Sequence, residues 1–98
     1  MTRRYQLVLS GMSQRKLLNI GEYTQRTWGR KQEHLFSRSL RSRMAMLRDH
    51  PFIGVQRFDL RDGIRILVVE QYRIYYDVTE AEIQIVDIRH ESESEPRF

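Results

Sequence analysis

The sequence contains no cysteine, only two prolines, and no apolar run longer than four residues, of which Ile66–Val69 is one. Without cysteine there is no disulfide scaffold, no thiolate metal site and no cysteine nucleophile. A run of four apolar residues is far shorter than the roughly 20 residues that a membrane-spanning helix needs. The basic N-terminal residues are followed by no long apolar segment, so no secretory signal is predicted. We therefore expect a cytoplasmic protein that does not enter a membrane.

At 98 residues the chain has the length of a single domain. Its net charge of +4 hides a segregation of the two signs, because residues 1–48 carry 11 basic and 2 acidic side chains, whereas residues 49–98 carry 6 basic and 11 acidic ones. Of the 17 basic residues, 15 are arginine, whose planar guanidinium binds carboxylates and phosphates through paired hydrogen bonds. The first half is therefore expected to bind an acidic partner or the chain's own acidic half, the alternative being ordinary solvated helix faces.

Hydrophobic periodicity predicts one strand, two helices and then three more strands. Leu17, Ile20, Thr24 and Trp28 recur at helical spacing, and the second helix has its own apolar stripe. The predicted elements are a strand at residues 5–10, a helix capped by Ser13 and ended by Gly29, a helix at residues 31–49 with the stripe Phe36, Leu40, Met44 and Leu47, a loop at residues 52–63, and strands at residues 64–70, 72–78 and 83–89.

This order predicts an α+β fold, β-α-α-β-β-β, in which an antiparallel helical hairpin packs on one face of an antiparallel sheet. The hairpin follows from the short connection around Gly29, and the last three strands are predicted to form a meander. The domain is predicted to span residues 1–90. Residues 91–98 lack apolar periodicity and are predicted to form an acidic, mobile C-terminal tail.

Five short motifs follow one another at characteristic separations. They are L-L-N-I-G-E-Y-T at residues 17–24 with W-G at 28–29, H-P-F-I-G at 50–54, L-R-D-G-I-R at 60–65, Y-R-I-Y-Y at 72–76, and I-Q-I-V-D-I-R-H at 83–90. In this order they resemble the ParE branch of the RelE/ParE superfamily of toxins from bacterial type II toxin–antitoxin systems. The resemblance covers roughly residues 5–90, and the fold it implies is the one that the periodicity predicts.

Several motif residues have structural roles that suffice to explain them. Tyr23 and Trp28 are predicted to pack between helix and sheet, and Tyr76 is predicted to face the helices. Gly54 and Gly63 are predicted to supply turn geometry.

The resemblance implies one of two activities on the same fold, which the site must decide. ParE-like members bind DNA gyrase, trap its cleaved DNA complex and block replication. RelE-like members cut mRNA in the ribosomal A site. The acidic residues Glu91, Glu93 and Glu95 favour the first activity, because they would repel RNA phosphate at the end of the chain. For a gyrase inhibitor we expect no catalytic residues, and for either activity no cofactor and no metal.

The ribonuclease alternative requires a base, an acid and cations around one phosphate. Its candidate residues are Arg65, Arg73, Arg89 and His90. Strand alternation allows Arg65 to join Arg73 on one face of the sheet, whereas the adjacent Arg89 and His90 point to opposite faces.

Both branches imply a cognate antitoxin, an acidic and partly disordered protein that folds on binding, and hence a toxin–antitoxin hetero-oligomer. A DNA-binding module that contacts phosphates is a third possibility, but the sequence has no helix-turn-helix pattern. The residues predicted to bind the antitoxin or the target are Arg15, Arg26, Arg30, Lys31, Arg38, Arg41, Arg61, Arg65 and Arg73.

Overall fold

The computed structural model describes residues 4–98, so the first three residues of the predicted domain lie outside the described part. The α+β class is confirmed. In chain order the elements are β1 (Gln6–Leu9), α1 (Gly11–Trp28), α2 (Arg30–Met46), β2 (Val55–Gln56), β3 (Arg65–Val69), β4 (Tyr72–Val78) and β5 (Glu82–His90).

Helix α1 begins one turn earlier than the sequence predicts. The hydroxyl of Ser10 accepts a hydrogen bond from the Ser13 amide at 3.1 Å, so Ser10 is the N-cap and the assignment to Ser13 was wrong. Ser13 is instead fully buried, where its hydroxyl donates to the Ile85 carbonyl of β5. This bond attaches the start of the helix to the sheet.

Gly29 alone connects α1 to α2, and it has a φ of +91°. A residue with a side chain would be strained in that conformation. The single-residue connection reverses the chain, and the two helices pack together as the predicted hairpin. Helix α2 ends at Met46, three residues before the predicted end, because residues 47–49 form a turn that leads into Pro51.

The five strands form one sheet in the order β1-β5-β4-β3-β2. Strands β3, β4 and β5 form the predicted antiparallel meander. Strand β1 differs from the prediction, since it pairs in parallel with β5 and makes the sheet mixed. Strand β2 was not predicted at all, because its two residues lie inside an irregular loop and pair only with the edge of β3.

The main core lies between the helical hairpin and one face of the sheet. Leu40, Met44 and Leu47 of α2 are buried there, and Phe36 packs at its margin, as the periodicity predicts. From the sheet, Leu67, Val69, Ile74, Tyr76, Ile83, Ile85 and Ile88 complete this cluster. A smaller cluster of Ile64, Ile66 and Tyr75 forms on the opposite side, called here the outer face of the sheet.

Gly54 is required by a close contact and not by a turn. Its amide donates to the Tyr76 hydroxyl at 2.8 Å, and that hydroxyl donates to the Pro51 carbonyl at 2.9 Å. A methyl group on Gly54 would lie only 2.5 Å from the same hydroxyl oxygen. Gly63, by contrast, has a φ of +84° and occupies the kind of turn that was predicted.

Residues 91–98 lie against the outer face of the sheet. Pro96 is buried, the Phe98 ring is 6.0 Å from the Tyr75 ring, and Arg57 forms an ion pair with Glu95. The sequence predicts a mobile tail because this segment has no apolar periodicity. Its contacts come instead from single side chains at irregular spacing, which a periodicity analysis does not detect.

Candidate functional site

The outer face of the sheet carries two of the four residues considered for RNA cleavage. Arg73 of β4 and Arg89 of β5 are directly opposite each other in the strand register. The Arg73 Nε donates to the Tyr75 hydroxyl at 2.9 Å, and Arg89 pairs with Asp87 at 3.0 Å. Burial raises the pKa of Tyr75, although its hydrogen bond from Arg73 acts in the other direction.

Arg65 does not join this pair, so the expectation that it shares a face with Arg73 was wrong. It lies opposite Tyr76 in the register and alternates with the core residues Leu67 and Val69. Its guanidinium donates to the carbonyls of Phe52 and Gly54 at 3.1 and 2.8 Å and lies over the Phe52 ring. Arg65 therefore fastens the loop before β2 to the sheet.

His90 lies on the helix side of β5, where it is opposite Tyr72 and its ring meets the tyrosine edge to face at 5.2 Å. The Ser92 amide donates to its Nδ1 at 3.1 Å, which makes that nitrogen an acceptor. Since Arg73 and Arg89 are on the outer face, the imidazole and these guanidinium groups are separated by the sheet. The four candidate residues do not form one cluster.

Tyr23 and Trp28 are not core residues, and their prediction as helix-to-sheet packing was wrong. Tyr23 is 56% exposed and Trp28 is 69% exposed. Trp28 is the last residue of α1 and lies near the point where β4 begins and β5 ends, so its side chain lies at the end of the sheet and not over its middle. Only the tertiary placement of the helix end reveals this position.

The two aromatic side chains line a groove between α1, α2 and this end of the sheet. The groove has a volume of about 580 Å³ and is called the aromatic groove below. Phe36 and Tyr72 form its floor with ring centroids 5.4 Å apart, and His90 closes one side. Burial, followed by the nearby Tyr23, raises the pKa of Tyr72. Exposed tryptophan and tyrosine beside a concave apolar surface are typical of protein-binding sites.

Six of the predicted binding residues are exposed on the helical hairpin, and none of them forms an ion pair with an acidic side chain of residues 4–98. They are Arg15, Arg26, Arg30, Lys31, Arg38 and Arg41. Four of them, Arg30, Lys31, Arg38 and Arg41, line one side of α2 together with His34 and are called the basic face of α2. Their side chains are available to a partner.

The other three predicted binding residues have partners inside the chain. Arg61 pairs with Asp77 at 2.7 Å, Arg65 holds the loop carbonyls, and Arg73 donates to Tyr75 and to the tail. The sequence also did not identify Arg57, which contacts both Asp59 and Glu95. No periodic signal marks Arg57, since it lies in an irregular loop.

A buried ion pair was missed as well. Lys16 of α1 contacts Asp87 of β5, whose carboxylate also accepts from Arg89 and from the Ile88 amide. Burial alone would raise the pKa of Asp87, but the hydrogen bonds from Lys16, Arg89 and Ile88 outweigh it and lower the pKa. The signal was present, because Asp87 is a single acidic residue between apolar strand residues.

The structure thus defines a small α+β protein with three notable exposed surfaces: an aromatic groove, a basic helix face and an arginine-bearing sheet face. Within residues 4–98, no helix is long and apolar enough to cross a membrane.

Comparisons with known proteins agree with this class. Residues 7–95 match the family model described as the ParE toxin of the type II toxin–antitoxin system parDE. Toxin ParE1 of Caulobacter vibrioides is 27% identical over 84 residues, which is 86% of each chain. The structure of a chromosomal ParDE toxin–antitoxin system from P. aeruginosa matches with a TM-score of 0.76 at 19% identity, over 89% of this chain and 96% of that one.

The chain belongs to the ParE toxin family of type II toxin–antitoxin systems. This membership implies an antitoxin as a partner.

Proposed function

We propose that this protein inhibits DNA gyrase in the cytoplasm by trapping the enzyme's cleaved complex with DNA, and that an acidic antitoxin neutralises it by folding onto its surface. Gyrase inhibition is the activity that the resemblance to ParE-like toxins implies. A protein that acts in this way needs a surface for an acidic or phosphate-bearing partner and needs no assembled catalytic residues.

The observation that carries the proposal is the set of cations on the helical hairpin that have no ion-pair partner among the described residues. Arg38 and Arg41 are exposed on the basic face of α2, together with Arg30 and Lys31. Guanidinium groups that are not committed within residues 4–98 keep their bidentate geometry for carboxylates or phosphates of a partner. A row of them on one helix also attracts an acidic surface before contact is made.

The arrangement of the sheet supports gyrase inhibition over RNA cleavage. Arg73 and Arg89 lie on the outer face, but Glu95 and the carbonyls of the tail occupy their surroundings. His90 lies on the other side, near Tyr72. An RNA phosphate on the outer face would meet the negative charge of the tail and would be out of reach of the imidazole, which is the group suited to proton transfer near neutral pH.

The aromatic groove is the proposed docking site for an apolar segment of the antitoxin. Trp28 and Tyr23 present large rigid surfaces that can be covered at little cost in side-chain entropy. The basic face of α2 begins two residues after Trp28, at Arg30. An antitoxin with apolar and acidic residues can contact the groove with the first kind of residue and the basic face of α2 with the second.

A DNA cleavage assay tests the activity. Purified protein, gyrase and supercoiled plasmid are incubated, and detergent and protease are then added to release trapped breaks. We expect linear plasmid in proportion to the protein added, none when gyrase is omitted, and none when the antitoxin is added first. Unchanged supercoiling and no linear product at a stoichiometric amount of protein would contradict gyrase as the target.

A binding comparison tests the docking site. Trp28→Ala and Leu18→Ala each truncate a side chain that is 69% exposed on α1, but only Trp28 lines the aromatic groove. We expect Trp28→Ala to weaken antitoxin binding at least tenfold and Leu18→Ala to change it less than threefold, with both variants folded. If calorimetry finds that both variants lose the same antitoxin affinity, the groove is not part of the interface.

A further inference from the structure

The tail formed by residues 91–98 contacts the outer face of the sheet in the way that a bound peptide would. Two of its side chains provide the specific contacts. The Glu95 carboxylate accepts two hydrogen bonds from Arg57, at 3.0 and 2.8 Å, and lies 3.3 Å from the Tyr75 hydroxyl. The Phe98 ring packs against Tyr75 and lies under the Arg61 guanidinium at 5.1 Å.

Backbone carbonyls of the tail supply further contacts. Arg73 donates to the carbonyls of Glu91 and Glu93 at 3.3 and 2.8 Å, and Arg89 donates to that of Ser94 at 3.2 Å. Contacts of this kind do not depend on the identity of the side chains. The outer face therefore recognises one carboxylate, one aromatic ring and a length of chain, which are features that any acidic peptide with an aromatic residue can present.

The site extends beyond what the tail covers. Val55 is the register partner of Ile66, and Val68 lies two residues further along β3, so both are on the outer face. They are 68% and 57% exposed. A longer peptide than the tail would cover this apolar surface in addition and would gain hydrophobic stabilisation that the tail does not provide.

We propose that the outer face of the sheet, through Arg57, Arg61, Arg73, Tyr75 and Arg89, is a binding site for an acidic, aromatic-containing segment of the antitoxin, and that residues 91–98 are an internal ligand that competes for it. The acidic character of that partner rests on the proposed function. Residues 91–98 follow β5 and contain no helix or strand, so they can leave the face without disturbing either kind of element. Its tether keeps its effective concentration high, in the millimolar range for a short linker, and so lowers the apparent affinity of the face for an external segment.

The side chains that would hold the segment are only partly shielded from water. The side chains of Arg57 and Glu95 are each 31% exposed, and Arg57 also contacts Asp59. Solvent screening makes such pairs weaker than buried ones, which suits a ligand that has to be displaced. A carboxylate from a partner finds the same bidentate geometry once Glu95 has moved away.

A competition experiment with the chain of residues 1–98 tests the proposal. The probe is a fluorescein-labelled peptide with the sequence of residues 91–98, and binding is followed by fluorescence anisotropy. We expect weak binding to the wild type and about tenfold tighter binding to Glu95→Ala/Phe98→Ala, in which the internal ligand is loosened and the face is intact. Arg97→Ala changes an exposed tail residue and is expected to leave the affinity at the wild-type value.

Substitution of Arg57 in the outer face is expected to abolish this increase in peptide affinity. In the Glu95→Ala/Phe98→Ala background, Arg57→Ala and Arg57→Lys should each weaken the peptide at least tenfold, because lysine keeps the charge but loses the paired hydrogen bonds. The lysine variant retains a cation in the loop and so guards against a loss caused by unfolding, which circular dichroism also checks. Equal peptide affinity for the wild type and the loosened variant, or no effect of either Arg57 change, would overturn the proposal.

Two further binding measurements identify the kind of ligand that the outer face binds. An eight-nucleotide single-stranded DNA that binds the loosened variant more tightly than the peptide does would overturn an acidic peptide as the ligand. The antitoxin itself should bind Glu95→Ala/Phe98→Ala several-fold more tightly than the wild type, and an unchanged affinity would overturn the competition. Peptide binding without gyrase cleavage would contradict only the gyrase assignment, and cleavage without peptide binding would contradict only the competition.

Discussion

The contact between Gly54 and Tyr76 illustrates at the residue scale how a motif glycine serves packing. The Tyr76 hydroxyl satisfies both the Gly54 amide and the Pro51 carbonyl in a buried site, where an unpaired polar group would be costly. A side chain at position 54 has no room beside this hydroxyl, which explains why the loop before β2 carries glycine there. Burial also raises the pKa of Tyr76.

Gly54→Ala is expected to destabilise the protein by about 2–3 kcal/mol, because the new methyl group overlaps the Tyr76 hydroxyl and the Ile66 carbonyl. Urea denaturation measures this change. Gly11→Ala is the matched control, since its methyl group meets only the flexible Arg15 side chain at 3.6 Å, and it should stay within about 0.5 kcal/mol of the wild type. Equal stability of the two variants would contradict the steric explanation.

The buried Asp87 gives the second prediction at this scale. Its folded pKa is lowered from 3.8, so its contribution to stability is complete above the unfolded pKa and is lost as the pH falls through the folded pKa. Asp87→Asn removes this titration and leaves Lys16 without a counter-charge, so we expect a loss of about 2 kcal/mol at pH 7 and a smaller further loss on acidification.

Denaturation of both proteins at intervals between pH 2.5 and pH 7 measures the effect. Asp62→Asn removes an exposed carboxylate and should reproduce the wild-type curve. An Asp87→Asn protein that loses stability with acid as steeply as the wild type would exclude Asp87 as a source of the pH dependence.

At the scale of elements, one side of α2 packs in the core and another side presents exposed cations. Leu40 and Met44 face the sheet, whereas Arg38 and Arg41 face outward with no acidic partner in residues 4–98. The 3.6-residue period keeps the two stripes apart along the whole helix. Changes on the basic face should therefore alter binding without altering the core.

Arg38→Gln is expected to slow association with the antitoxin about two- to threefold at low salt and to reduce the dependence of the rate on ionic strength, because exposed charges steer encounter more than they hold the complex. Arg43→Gln makes the same change of charge on the same helix but outside the basic face of α2, and should have a smaller effect. Stopped-flow measurements at several salt concentrations distinguish the two. Identical salt dependence for both variants would show that net charge, and not this face, controls the encounter.

At the scale of the whole molecule, the strand order places the first strand of the chain beside the last one. Strand β1 lies beside β5, and β4 is paired on both sides and covered on both faces. Strand β2 has two exposed residues and a single neighbour. Protection should therefore fall from the centre of the sheet to the β2 edge.

Native-state hydrogen exchange is expected to find the slowest amides in β4 and in the part of β5 that pairs with it, and much faster exchange in β2. The physical reason is that a β4 amide opens only when the sheet comes apart, whereas β2 detaches by breaking a few bonds. Protection of β2 equal to that of β4 would contradict this order.

The sequence by itself determined the elements and the family. Periods of 3.6 and 2 are local properties, so the apolar stripe of α2 and the bounds of β4 were predicted correctly, and the motif order led to the ParE family. Tertiary structure alone decided the parallel pairing of β1, the exposure of Trp28, the separation of Arg65 from Arg73, and the position of the tail. These four features depend on strand register, on helix length and on contacts between residues that are far apart in the chain. A local sequence pattern contains no information about such contacts. The tertiary structure also decided how the opposite charges of the two halves are used. The acidic tail binds arginines of the outer face, which belong to the second half, and the basic face of α2 in the first half remains exposed.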